Sequence, residues 1–315
     1  MPDPRYPVYV VSRGRTKERL TIRALEEMGA PYRVIVEADE RDAYAAVVDP
    51  AKVLVLDPQF QRDYETCDDL GDTKSKGPGP ARNFAWAHAE AEGFDAHWVL
   101  DDNIRAFYRF HHSKRLYVQT PTYFWVMEEW LDRFENVALA GPQYVMFAPE
   151  SSVAASPLNL NTRVYSALWI RNDLPYRWRG RYNEDTDLSL RALKDGWATV
   201  LFNAFLQQKM WTARPEQTGG NTAAFYEREG TLPKSRMLVR MHPDVARLTW
   251  KYGRWHHEVN YKPFAGNRPV RKPGPLPRVD TDEFGLQLVA DRPVRSARLR
   301  EILAAENGAA DLAAD

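Results

Sequence analysis

Two acidic clusters carry the chemistry this chain could perform. The first, His97-Trp98-Val99-Leu100-Asp101-Asp102-Asn103-Ile104, is an apolar run that ends in acid, acid and amide. Val99 and Leu100 have the character of a strand covered on both faces. Two adjacent carboxylates at the mouth of such a strand repel each other and lose hydration, so they need a positive partner. Asp101, Asp102 and Asn103 offer only oxygen donors, which suits Mg2+ or Mn2+ and disfavours a soft metal. Such ions keep part of their water shell and take substrate phosphates as further ligands. A strand that simply ends in solvated polar residues would look the same in isolation. The second cluster is Asn183-Glu184-Asp185-Thr186-Asp187, at the start of an expected helix. Helix N-termini favour carboxylates, but three acids exceed that need. Glu184 or Asp185 is therefore the candidate general base for an incoming hydroxyl. Asp187 stands four residues before Arg191, the spacing of an ordinary helical ion pair.

Strands and helices must bring these clusters together. Pro7 to Ser12 reads as a β-strand, followed by Arg13-Gly14-Arg15-Thr16, where the glycine permits a tight turn. Thr16 is the expected N-cap of a helix through Leu20, Ala24, Leu25 and Met28, closed by Gly29. Tyr32 to Glu37 is a second strand, Glu40 to Val48 a helix and Lys52 to Leu56 a third strand. This order predicts an α/β fold that opens with a parallel sheet and right-handed crossovers. Ligands on such sheets bind beyond the carboxyl ends of the strands. That rule puts Ser12, Arg13, Arg15, Glu37 and Asp101-Asp102-Asn103 on one rim, with Arg13 and Arg15 placed for a nucleotide diphosphate.

Gln59 to Pro80 reads as a long polar loop, of the length that is usually functional or mobile. Pro80 to Glu92 is a helix with Arg82 in its first turn, where a phosphate could be received. Thr122 to Phe134 reads as a helix; Val137 to Gly141, Tyr144 to Phe147 and Arg163 to Ile170 read as strands. Glu184 to Asp195 is a helix closed by Gly196, Thr199 to Phe202 a strand, and Val239 to Arg254 helical. Pro263 to Pro277 has linker composition, and Phe284 to Glu306 forms a small appendage.

Composition limits the function classes. With 315 residues and 44% hydrophobic content, the chain can build one large domain with appendages. Its 43 basic and 43 acidic residues cancel, so no global field recruits nucleic acid, although local patches can. A single cysteine, Cys67, excludes an internal disulfide framework and a cysteine-rich zinc site. No apolar run is long enough for a membrane helix and Met1 to Tyr9 lacks a signal core, so a cytoplasmic protein is expected.

VLDDNI followed at a distance by NEDTDLSLR resembles the GT-A class of nucleotide-sugar glycosyltransferases. Within it, VYVVSRGR, GPARNFAWAHA, NEDTDLSLR and the late WKYGRWHH are similar to the TET-associated glycosyltransferases of bacteriophages and their relatives. These features span roughly residues 7 to 262. The resemblance implies a GT-A domain over 1–262, with a nucleotide-binding half to about 104 and an acceptor half from about 105. Residues 263–315 then form the linker and C-terminal extension. It also implies transfer of a sugar, with a UDP-sugar as donor, to a hydroxymethylated pyrimidine of the 5-hydroxymethylcytosine type in DNA. Asp101 would contact the ribose or donor sugar, and Asp102 and Asn103 would face Mn2+ or Mg2+. Asn103 stands where the class usually has Asp, which leaves the metal ligand open between it and Asp102. Asp185, with Glu184 beside it, would be the base of an inverting reaction. Ser12, Arg13 and Arg15 would lie near the uridine and diphosphate. The class often adds a late histidine to the metal; His242, His256 and His257 are available, with His256 the assigned one. Adjacent in a strand, His256 and His257 point to opposite faces, so at most one serves.

For a DNA acceptor, Arg105 to Tyr117 and Arg171 to Tyr182 have the right composition. Arg109, Lys114, Arg115, Arg177, Arg179 and Arg181 could neutralise phosphates, and Trp178 could stack on an unpaired base. Placing a base beside the donor requires flipping it out of the duplex. Aromatic faces equally suit a carbohydrate, so a glycan or protein hydroxyl stays open as acceptor, as does a nucleotidyltransferase with the same early sheet. A degenerate domain that only binds DNA is a further alternative, disfavoured by its intact acidic motifs.

Overall fold

The structure is a computed structural model that describes residues 2–68, 75–111, 114–149, 156–210 and 231–274. Its strands, in chain order, are β1 (Val8–Val11), β2 (Arg33–Val36), β3 (Val53–Val55), β4 (Ala96–Asp101), β5 (Ile104–His111) and β6 (Lys114–Tyr117). They continue as β7 (Val137–Tyr144), β8 (Leu158–Leu160), β9 (Ala167–Arg171), β10 (Ala198–Lys209), β11 (Ala246–Lys251) and β12 (Arg254–Val259). The helices are α1 (Leu20–Glu27), α2 (Arg41–Ala45), α3 (Pro58–Arg62), α4 (Gly79–Ala91), α5 (Thr122–Leu131), α6 (Glu184–Lys194) and α7 (Leu232–Met241).

All strands but the last two join one ten-stranded sheet in the order β3-β2-β1-β4-β9-β7-β10-β5-β6, with β8 also on β10. The first four positions are parallel, as expected of the opening strand-helix alternation. β9 then runs antiparallel between β4 and β7, and β7 and β10 return to the direction of β4. The sheet is covered on both faces because its strands alternate two apolar sets. Val8, Val10, Trp98 and Leu100 pack with Ile22 and Leu25 of α1 and with Phe124 and Met127 of α5. Tyr9, Val11 and Val99 pack with Ala85 and Trp86 of α4 and with Leu188 and Ala192 of α6. Each such side chain removed from water, Leu100 for instance, contributes about 1.5–3 kcal/mol.

Several boundaries differ from the sequence reading for local reasons. α1 begins at Leu20, not Thr16, because Arg19 takes a left-handed backbone (φ 29°) and no side chain caps the helix. The stretch 163–166 enters β9 irregularly, with Ser166 at φ 65°. Tyr144 ends β7, and 145–147 is a short 3-10 turn rather than a strand. The strand expected at Thr199 to Phe202 runs on to Lys209. The helix expected over Val239 to Arg254 is instead the end of α7 and a two-stranded ribbon, β11–β12. Tyr252 and Gly253 both take positive φ between its strands, the geometry of a tight hairpin turn, and the flanking β-branched and aromatic residues suit strands.

The proline-containing stretch after Lys262 lies on the body as far as it is described. Phe264 is buried, and the Asn267 side chain donates to the Leu193 and Trp197 carbonyls at 2.7 and 2.9 Å. The appendage read at Phe284 to Glu306 lies outside the described residues. Among the described residues no helix is long and apolar enough to cross a membrane.

Gly141 of β7 permits the close approach of β9. A Cβ there would lie 2.2 Å from the Ala167 carbonyl oxygen and 2.8 Å from Val164 Cγ1. Both partners are buried and cannot swing away. Gly141→Ala is therefore expected to cost about 1–3 kcal/mol. Chemical denaturation checks this, and a midpoint equal to that of the parent would refute it.

Candidate active site

The carboxyl ends of the parallel strands open on a cavity of about 630 Å³. β1 delivers Ser12 to Arg15, β2 delivers Glu37, and β4 delivers Asp101, Asp102 and Asn103. Gly14, at φ 67°, makes the turn that folds this first loop back over the rim. α4 and α6 direct their first turns into the same space, with Arg82, Glu184 and Asp185. Every donor-binding and base residue singled out from the sequence thus lines one cavity, although they lie up to 173 positions apart.

Within it the charges interlock. Arg82, 3% exposed, hydrogen-bonds Asp101 Oδ1 at 2.6 Å, pairs with Glu184 Oε1 at 3.1 Å and lies 4.5 Å above the Trp178 ring. Lys209, at the end of β10, reaches Asp101 Oδ2 at 2.5 Å and Ser166 Oγ at 2.9 Å. Asp102 pairs with the Arg15 guanidinium, accepts from Ser12 Oγ at 2.9 Å and accepts weakly from the Arg13 backbone N–H at 3.4 Å. Arg13 itself lies 3.6 Å from Glu37.

These neighbours separate the three acids. Burial opposes ionisation of Asp101, yet Lys209 and Arg82 outweigh it and hold the carboxyl well below its ordinary range. Burial dominates at Asp102 and raises it in spite of Arg15. Burial also raises Glu184, to about 7, with Arg82 opposing and the adjacent Asp185 assisting. Asp185 binds the Thr186 N–H at 2.7 Å through Oδ1, and its second oxygen has no hydrogen-bond partner among the described residues.

Side chains of the chain occupy the carboxylates on which a divalent cation would rest. Asp101 and Asp102 already hold Lys209, Arg82, Arg15 and Ser12. Among the described residues no three His, Cys, Asp or Glu side chains converge as a metal site. Asn103 is buried, its amide lying 3.5 Å from the Met210 carbonyl and its side-chain oxygen lacking a partner. His256, the assigned late ligand, lies on the face of β12 away from the cavity and takes a hydrogen bond from Arg254 at 3.2 Å. His257 is the one that lines the cavity, and burial together with Lys234 and Arg163 lowers its pKa to about 4. His242 is tied to Asp187 at 2.8 Å and Lys194 at 3.0 Å.

The arginine-rich segments take places that their composition does not reveal. Arg109 is buried in β5, its guanidinium on the Phe110 and Ala204 carbonyls. Arg115 holds the Val145 and Ala148 carbonyls, while Lys114 is exposed on β6. Arg177 pairs with Glu90 and lies over Trp86, Arg179 binds Asp187, and Arg181, 1% exposed, binds Asp68 and the Ser75 carbonyl. Trp178 is 2% exposed. Arg109 and Trp178 are therefore internal, and Arg181 borders the cavity with its guanidinium held on Asp68, which corrects the expectation that these three lie on an exposed surface. Asp187, fully buried among Arg179, Arg191 and His242, fastens α6 and does not face the cavity.

Lys209, Arg163, Tyr144, Tyr165 and Ser166 line the cavity without having been singled out from the sequence. The signal for Lys209 was the parallel direction of β10, which carries its end to the same rim. The Tyr144 and Tyr165 rings meet at a 40° tilt with centroids 4.2 Å apart, and Arg163 lies 5.1 Å above Tyr165.

A mixed α/β sheet with a cation- and acid-lined cavity at its carboxyl rim places that cavity where α/β proteins bind their ligands. The comparison with protein families is more specific. The sequence model of the TET-associated glycosyltransferase family matches residues 6–220, more than half of the chain, and the chain belongs to that family of glycosyltransferases. No curated protein matches it.

Because Glu184 is raised above its ordinary range, the folded state favours its protonated form. Stability from this group is complete below the ordinary carboxylate range and is lost as pH rises through about 7. Glu184→Gln is thus expected to gain stability relative to the parent between pH 5 and pH 8, measured as the difference in thermal midpoint. A difference that does not change with pH would show Glu184 to be ionised throughout.

Proposed function

We propose that this chain moves a sugar from a nucleotide-sugar donor, a UDP-sugar in the first instance, to the hydroxyl of a hydroxymethylated pyrimidine in DNA, on a GT-A-type sheet. One observation carries this reading: Arg82 ties the acids at the end of β4 to those opening α6, so donor-side and base-side groups share one cavity. The family supports sugar transfer and, through its association with TET-type base oxidation, a modified DNA base as acceptor.

In the proposed step the acceptor oxygen bonds to the anomeric carbon and the bond from that carbon to the phosphate oxygen breaks. The electron pair leaves with the nucleoside diphosphate, and the acceptor proton passes to Asp185. Arg13, Arg15 and Lys209 stand at the rim where the diphosphate charge would develop. Asp101, held ionised by Lys209 and Arg82, is placed to accept hydrogen bonds from sugar or ribose hydroxyls. Glu184, titrating near neutrality, lowers the local negative charge when protonated and so assists approach of an anionic donor. No step is routed through a divalent cation, since the acidic pair is already partnered by side chains of the chain.

Incubation with a panel of nucleotide sugars and DNA containing 5-hydroxymethylcytosine, followed by mass analysis of the digested nucleosides, tests the whole reading. The expected result is a nucleoside heavier by one sugar; sugar found only on a glycan or protein would replace the acceptor. Asp185→Asn should keep donor affinity and lose transfer by about 10²–10⁴-fold. Full transfer in this variant would place the base elsewhere. Lys209→Met should lower kcat by about 10²–10³-fold, as for loss of one charge-stabilising group. Chelation by EDTA should leave the rate of the parent enzyme unchanged, and loss of turnover restored by Mn2+ would overturn the assignment of that charge to Lys209 and the arginines.

A further inference from the structure

We propose that the ribbon β11–β12 is the nucleic-acid-binding element of this chain, its basic face taking phosphates and its aromatic tip taking bases at the mouth of the cavity. This rests on the reading of DNA as the acceptor, and it concerns residues beyond the segment matched by the family.

The register of the ribbon sorts its side chains into two faces. Ala246 pairs with Val259, Leu248 with His257 and Trp250 with Trp255 on one face. Arg247 with Glu258, Thr249 with His256 and Lys251 with Arg254 make the other. The first face docks at its base, where Ala246 is buried and Val259 packs against the Leu190–Phe264 cluster. Its middle residue, His257, lines the cavity. Its far end carries the Trp250–Trp255 pair, with centroids 5.2 Å apart, out past the body. Trp250 is 60% exposed, Trp255 38%, and the turn residue Tyr252 92%.

Large aromatics left in water are costly unless a partner covers them. The charge around these identifies the partner. Residues 246–259 hold three Lys or Arg against one acid, in a chain whose net charge is zero. Arg247 and Lys251 approach Glu258 only at 3.4 Å, an exposed and weak pairing that leaves the face positive. Basic residues interleaved with exposed aromatics on a two-stranded ribbon match a polyanion with stackable rings, and a ribbon of this kind fits the DNA major groove. A base displaced from the helix would pass from the aromatic tip along the face that leads to His257 and the cavity.

Two variants test this without touching the cavity: the double charge reversal Lys251→Glu/Arg254→Glu, and Tyr252→Asn, since asparagine tolerates the left-handed backbone of the turn. Binding to duplex and single-stranded DNA containing 5-hydroxymethylcytosine is followed by fluorescence anisotropy across a salt series. Donor hydrolysis without DNA reports on the integrity of the cavity. The charge reversal should weaken binding at least about tenfold and reduce the salt slope by about 1 to 2. Tyr252→Asn should weaken binding about fivefold or more with the salt slope unchanged. Donor hydrolysis should match the parent in both. If the parent binds DNA and both variants bind equally well, the ribbon is not the DNA element, while the proposed activity stands. If the variants change only the sedimentation of a dimer, the ribbon is a self-association surface and the proposal falls. If the parent itself fails to bind either form of DNA at low salt, the ribbon proposal and the DNA acceptor fall together.

Discussion

The site depends on the burial of one guanidinium. Arg82 is almost wholly removed from water between Asp101, Glu184 and the face of Trp178. A charge in that position is tolerated only if its partners are fixed, because losing one partner leaves a buried ion uncompensated at about 3–5 kcal/mol. α4, β4 and α6 are thereby locked in mutual position. The covered sheet supplies the rigidity for this: Trp98 and Leu100 on one face of β4 and Val99 on the other leave that strand no freedom to shift.

The interlocked charges also divide labour among neighbouring acids. Lys209 and Arg82 keep Asp101 ionised, whereas burial raises Asp102 and Glu184. Acids of the same chemical type are thus pushed in opposite directions by their surroundings, the condition under which one can accept hydrogen bonds while another exchanges a proton. The positive partners that the adjacent carboxylates require include Lys209 from β10 and Arg15 from the loop after β1. Electrostatics dictated that a positive partner must be there. It could not say which, since a lysine 108 positions from its carboxylate is invisible to spacing.

The arginine-aromatic segments show the same limit from the other side. Arg171 to Tyr182 reads as a nucleic-acid surface by composition. In the fold, Arg177 lies over Trp86, Arg179 is paired with buried Asp187, and Arg181 is sealed against Asp68. Planar guanidiniums pack against rings and satisfy buried carboxylates as readily as they bind phosphates. The ribbon, by contrast, reads as helix because Val239 to Arg254 merges the end of α7 with β11. His242 to Val245 divides α7 from β11, and the Tyr252-Gly253 turn divides β11 from β12.

What the sequence alone determined was local. It set the opening strand-helix alternation, the covered strand that ends in Asp101 and Asp102, the helix that begins with Glu184 and Asp185, and hence the shared rim. These follow from periodicity, turn chemistry and the placement of strand carboxyl ends, all contained in short windows. The tertiary structure decided which charges meet, that β9 runs antiparallel beside β4, that His257 rather than His256 faces the cavity, and which arginines are interior. Those outcomes depend on strand order and on pairings across a hundred residues or more, where the free energy of a contact belongs to the whole packed sheet and to no segment of it.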